Sequence, residues 1–100
     1  MRVPSSIKIG GLTYKVIKNF KFSKKDGSNY KIFIGDANHK NLEIRLSTNG
    51  ISREKVEETF LHEVLHCVDD IYNNNSLSER SINSLSCGLY QVLKDNNLLK

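Results

Sequence analysis

The sequence predicts an α+β domain, with a small, mainly antiparallel sheet in its first half followed by two packed helices. Three observations predict it. Apolar and polar residues alternate in short runs up to Leu46. From Ser52 onward the apolar residues recur every three or four positions instead. Between the two patterns stands Asn49-Gly50, a turn pair.

Ile7-Lys8-Ile9, Gly10-Gly11 and Leu12-Thr13-Tyr14-Lys15-Val16 read as a tight β-hairpin, because Gly-Gly adopts the positive φ angles of a two-residue turn. Ser23 to Asn29 contains Asp26-Gly27 and reads as a turn. Tyr30 to Ile34 reads as a strand with Tyr30, Ile32 and Ile34 on one face, and Gly35 to Asn41 as a polar loop. Leu42-Glu43-Ile44-Arg45-Leu46 alternates cleanly, which predicts a half-buried strand with Leu42, Ile44 and Leu46 inward.

Ser52 is a candidate N-cap, and Glu54 falls in the first turn, where the helix dipole favours an acid. Val56, Phe60, Leu61, Val64, Leu65, Val68 and Ile71 then follow at helical spacing until Asn73-Asn74-Asn75. A second helix is expected from Ser76 or Ser78 to Asp95, with Ile82, Leu85, Leu89, Val92 and Leu93 on its apolar stripe. No repeat or long low-complexity tract divides the chain, so residues 1–100 read as a single domain.

A domain of 100 residues buries only a thin core and needs a stabiliser. Disulfides do not supply one: Cys67 and Cys87 are too few for a stapled scaffold and are expected to act as small core residues. No apolar run approaches the roughly 20 residues of a membrane helix, and MRVPSSIKIGG has no apolar secretion-signal region. A cytoplasmic protein is the expectation. Its richness in asparagine and lysine hints at an AT-rich bacterial or phage genome.

The formal net charge of +4 is unevenly placed. Residues 1–50 carry ten Lys/Arg against three acids, and residues 51–100 carry five against eight. The basic half raises nucleic-acid binding as a reading. Its lysines, however, alternate with apolar residues as solvated strand faces do, and no helix-turn-helix or finger pattern accompanies them.

The first helix contains His62-Glu63-Val64-Leu65-His66. Two histidines four apart lie one turn from each other on one helix face, so both imidazoles can reach one metal ion. Glu63 stands beside that face, suited to act on a metal-bound water. With Phe60 at zero on a helical wheel, Val64, Val68, Leu61, Leu65 and Tyr72 define the expected core stripe. His62 and His66 fall beside that stripe, open to a cleft.

A catalytic zinc takes three protein ligands and a water. Glu79, thirteen residues after His66, can return toward the histidines through an αα-hairpin. Two alternatives stand against it. In Ser76-Leu77-Ser78-Glu79 the glutamate can close a capping box, and Asp70, one turn beyond His66, can serve as ligand or as partner to an imidazole. Ligation by Glu79 also requires the first helix to stop near Asp70 or the two helices to cross steeply, since a helix reaching Tyr72 carries the chain about 9 Å past His66.

The order of hairpin, Gly35-Asp36, alternating strand, His-Glu-Val-Leu-His helix and later glutamate resembles the gluzincin-type zincin metallopeptidases. It is most similar to their smallest members, the minigluzincins, and to phage-type relatives of similar length. More distantly it is similar to the ImmA/IrrE-type peptidases. Nearly the whole chain takes part, most specifically Thr59 to His66 and Glu79 to Leu93. The resemblance implies a zinc ion held by His62, His66 and Glu79, with Glu63 as catalytic acid/base and a peptide or protein substrate bound in extended form. The strand from Leu42 to Leu46 is then expected to offer the edge that aligns it. Larger gluzincins carry a further His or Tyr that stabilises the oxyanion. Here no matching motif stands, and Tyr72, Tyr90 and His39 are the candidates, with His39 expected to be an exposed loop residue. A latent or non-catalytic zinc-stabilised binding module is the alternative.

Overall fold

The computed structural model describes residues 1–22 and 34–99. Four strands, β1 (Ser6–Ile9), β2 (Leu12–Ile17), β3 (Gly35–Asn38) and β4 (Glu43–Leu46), precede two helices, α1 (Arg53–Tyr72) and α2 (Glu79–Asp95). The strands form one sheet in the order β1-β2-β4-β3. β1 pairs antiparallel with β2, β2 parallel with β4, and β3 antiparallel with β4. The expected α+β architecture is the observed one.

The β1–β2 hairpin turns through Gly10 (φ +62°) and Gly11 (φ +81°), with Ile9 opposite Leu12. A Cβ at Gly10 would lie 2.5 Å from Ile71 Cγ2, so the turn also rests directly on the last turns of α1. The inner face of the sheet contributes Ile9, Tyr14, Val16, Ile44 and Leu46 to the core, and α1 contributes Phe60 and Cys67. On the outer face Arg45 pairs bidentately with Asp36 and lies 4.5 Å over the Phe20 ring.

Three details depart from the sequence expectations, and a further pair of expectations falls outside the described residues. The turn over Ser23 to Asn29 and the strand over Tyr30 to Ile34 lie outside the described residues except for Ile34, which is irregular there. Gly35 to Asn38 is a strand, not loop. The segment lacks β-branched and aromatic residues, so propensity does not announce it; the ladder to β4 and the packing of α1 hold it extended. Leu42 precedes β4 with φ +56° instead of joining it, packed against the core. β4 is an interior strand, so it offers no free edge; among the described strands the outer positions belong to β1 and β3.

The helix stripes are also corrected. On α1 the buried residues are Glu57, Thr59, Phe60, Glu63, Cys67 and Asp69, whereas Val68 and Tyr72 are exposed. α1 lies between the sheet and α2, so its covered arc extends to positions the apolar wheel assigns to solvent. On α2, Leu85, Leu89 and Val92 are exposed and Ile82, Ser86 and Tyr90 are buried. Among the described elements α2 packs on α1 only, so one narrow face is covered. That face runs Ile82, Ser86, Tyr90, with the exposed Glu79 at its edge, and each polar member meets a partner on α1.

Candidate metal centre

Ser52 caps α1, its side chain accepting the Lys55 N–H, and the helix runs unbroken through His62 and His66. Their Nε2 atoms stand 3.2 Å apart. Glu79, the first residue of α2, brings Oε1 to 2.7 Å from His62 Nε2 and Oε2 to 2.7 Å from His66 Nε2. Glu79 thus ion-pairs with both imidazoles, while the donor atoms of His62, Glu63 and His66 all lie within 4.8 Å of one another and form a group able to hold a metal ion. Two ligands of a tetrahedral zinc with bonds of about 2.0–2.1 Å are separated by roughly 3.3 Å, so the imidazole spacing suits a shared ion. The N, N, O donor set is one that zinc accepts.

α1 does not stop near Asp70 to allow this; it continues to Tyr72. The connection folds back instead. Asn74 and Asn75 take left-handed φ values of 59° and 52°, and the Asn75 N–H donates to the Asp69 carbonyl. The buried carboxylate of Asp69 accepts from the Asn73 side chain at 2.9 Å and from the Leu77 N–H at 3.2 Å. Asp69 therefore binds the loop down over the helix end and returns the chain at Glu79. Sequence reasoning assigns Asp69 no role. A signal does exist: an acid in the last turn opposes the helix dipole and is kept where the following loop uses its carboxylate.

The alternative roles are not realised. The N-cap of α2 is Ser78, whose side chain accepts from the Ser81 N–H, while Ser76 donates to the Asn73 carbonyl; Glu79 closes no capping box. Asp70 faces His39, 3.9 Å away, and not the two histidine Nε2 atoms.

Glu63 is 6% exposed, and its carboxyl lies within 4.8 Å of the donor atoms of both histidines. Burial, reinforced by the charges of Glu79 and Asp36, pushes its pKa up to about 8. His62 is lowered, chiefly by burial, against the opposing pull of Glu79. β3 passes close above this carboxyl: a Cβ at Gly35 would lie 2.6 Å from Thr59 Cγ2 and 3.4 Å from Glu63 Oε2. A small cleft of about 180 Å³ opens here, lined by Gly35, Thr59, His62, Glu63, Glu79 and Asn83 among others.

None of the three oxyanion candidates lines that cleft. Tyr72 is exposed, and Tyr90 is buried with its hydroxyl donating to Glu57 at 2.6 Å. His39 is half-buried instead of free in solvent, with Nδ1 at 3.2 Å from the Tyr14 hydroxyl. Of the two thiols, Cys67 is a core residue with its pKa pushed up to about 12 by burial, whereas Cys87 is half-buried and donates to Glu58.

Compared with protein-family models, curated proteins and solved structures, the chain matches none of them. No helix among the described residues is long and apolar enough to cross a membrane.

Proposed function

We propose that this chain is a zinc-dependent metallopeptidase. The observation that carries the reading is the convergence of His62 Nε2, His66 Nε2 and the Glu79 carboxylate beside the buried carboxyl of Glu63. A zinc ion held by the three ligands would lower the pKa of its water toward 7 and polarise a carbonyl oxygen. Glu63 is suited to take a proton on its carboxyl oxygen and release it to a leaving amine, since its buried carboxyl stands beside the donor atoms of both histidines. β3, outermost of the described strands and adjacent to Glu63 at Gly35, replaces β4 as the strand that aligns an extended peptide. The small cleft suits flexible segments better than folded surfaces. Two free thiols support a cytoplasmic setting.

The test is to compare the wild-type chain with Glu63→Gln for bound zinc and for cleavage of unfolded casein. Both are expected to hold one zinc per chain. Cleavage by Glu63→Gln is expected to fall about 10²–10⁴-fold, the usual worth of a general acid/base. Loss of zinc from Glu63→Gln would make that residue structural, and a wild-type chain without zinc would end the reading.

One observation favours a second reading, a zinc-stabilised module without turnover. Tyr72, Tyr90 and His39 all lie away from the cleft, and Glu79 ties α2 to α1, the one described element it packs on. Zinc bound by a wild-type chain that cleaves nothing would select it.

A further inference from the structure

We infer that Ser86 orients His62 at the metal centre by accepting a hydrogen bond from its Nδ1–H. The inference rests on the reading of His62, His66 and Glu79 as zinc ligands. Ser86 is 0% exposed within the contact between α1 and α2. A buried hydroxyl has to find polar partners, and those of Ser86 include a main-chain carbonyl and an imidazole nitrogen. Its Oγ donates to the Asn83 main-chain carbonyl at 3.0 Å and stands 3.5 Å from His62 Nδ1.

The proton count decides the direction. A serine hydroxyl has one hydrogen and two lone pairs. With the hydrogen on the Asn83 carbonyl, lone pairs face the imidazole, so Nδ1 carries the hydrogen and Nε2 keeps its lone pair. Nε2 is the atom aimed at the point shared with His66 and Glu79. Among the described residues His62 Nδ1 has no other hydrogen-bond partner. Glu79 and Ser86 are seven residues apart on α2, about two turns, and so share a face. One helix therefore delivers both the third ligand and the hydroxyl that sets the ring of the first. Such outer partners fix the ring orientation and tautomer of metal-bound histidines.

The experiment measures zinc affinity by chelator competition for wild type, Ser86→Ala, Ser86→Thr and the exposed control Ser84→Ala. Ser86→Ala is expected to bind zinc about 10–100-fold more weakly, the usual cost of losing an outer-shell partner. Ser86→Thr, which keeps a hydroxyl, is expected to recover most of the affinity, and Ser84→Ala to match wild type. In the zinc-loaded wild type, the His62 Nδ1–H resonance is expected to be protected from solvent exchange and to lose that protection in Ser86→Ala. The His66 ring, which meets no such hydroxyl among the described residues, is expected to behave alike in both chains. Equal affinity in wild type and Ser86→Ala overturns the inference and leaves the zinc site standing. If Ser86→Ala does not fold, an unprotected His62 Nδ1–H in wild type overturns it alone. A wild-type chain that takes up no zinc overturns both.

Discussion

Glu79 reaches across the space between the two helices to place one carboxylate oxygen 2.7 Å from His62 Nε2 and the other 2.7 Å from His66 Nε2. The same side chain is 71% exposed, so its position owes little to burial and much to where the loop 73–78 returns the chain. Replacing it tests the centre without disturbing the core. Glu79→Ala is expected to fold as the metal-free wild type does and to lose the rise in melting temperature that zinc produces. Thermal melts with and without zinc read this directly.

Metal removal has its own expected size. At free zinc one hundred times its dissociation constant, a native-state ligand adds about 2.7 kcal/mol. In a domain of this length each kcal/mol moves the melting temperature by about 4–8 °C. Chelation is therefore expected to lower the melting temperature by about 10–20 °C, reversibly on re-addition.

Gly35 carries a steric prediction. Its missing Cβ is what lets β3 lie against Thr59 and over Glu63. Gly35→Ala forces a 2.6 Å approach to Thr59 Cγ2 and is expected to cost about 1–3 kcal/mol. Thr59→Ser removes that methyl and keeps a hydroxyl for the Lys55 carbonyl, so the double variant is expected to regain much of the loss. Denaturant melts of the four chains make the cycle.

Glu57 makes the chain sensitive to acid. Burial raises its pKa, but the Tyr90 hydroxyl, Arg53 and the N-terminal ammonium together outweigh burial and hold it below the ordinary carboxyl value. The folded chain thus binds fewer protons than the unfolded one. The stability this confers is complete above the unfolded value of about 4.3 and is lost as the pH falls through the lower folded value. Glu57→Gln is expected to flatten the stability curve in that window. Tyr90→Phe leaves the carboxylate short of a donor and is expected to cost about 1–3 kcal/mol at neutral pH.

Much of this molecule is legible in its amino acids. Gly10-Gly11 announces the hairpin, the alternation of Glu43 to Leu46 a strand, and Ser52 the start of α1, because each is a local choice of backbone or period. The pairing of His62 with His66 is local too, since helical spacing alone puts them a turn apart. The strand Gly35–Asn38 is not legible, because pairing with β4 and not its own composition holds it extended. Nor are the buried faces, where Glu63, Asp69, Ser86 and Tyr90 displace the apolar residues that periodicity selects.

The chain by itself determined the fold class, the helix carrying two histidines and a short set of acids able to join them. Only the tertiary structure decided which acid stands nearest both imidazoles, with Glu79 in contact with their Nε2 atoms and Glu63 buried beside them. Capping, Asp70 and Glu79 differ by where a loop returns in space, and spacing along the chain carries no information about that return. The loop is set by Asp69, a buried carboxylate whose acceptors hold Asn73 and Leu77 to the helix end. A 100-residue domain without disulfides still needs a staple, and its best candidate is built by a contact between elements that no local pattern encodes.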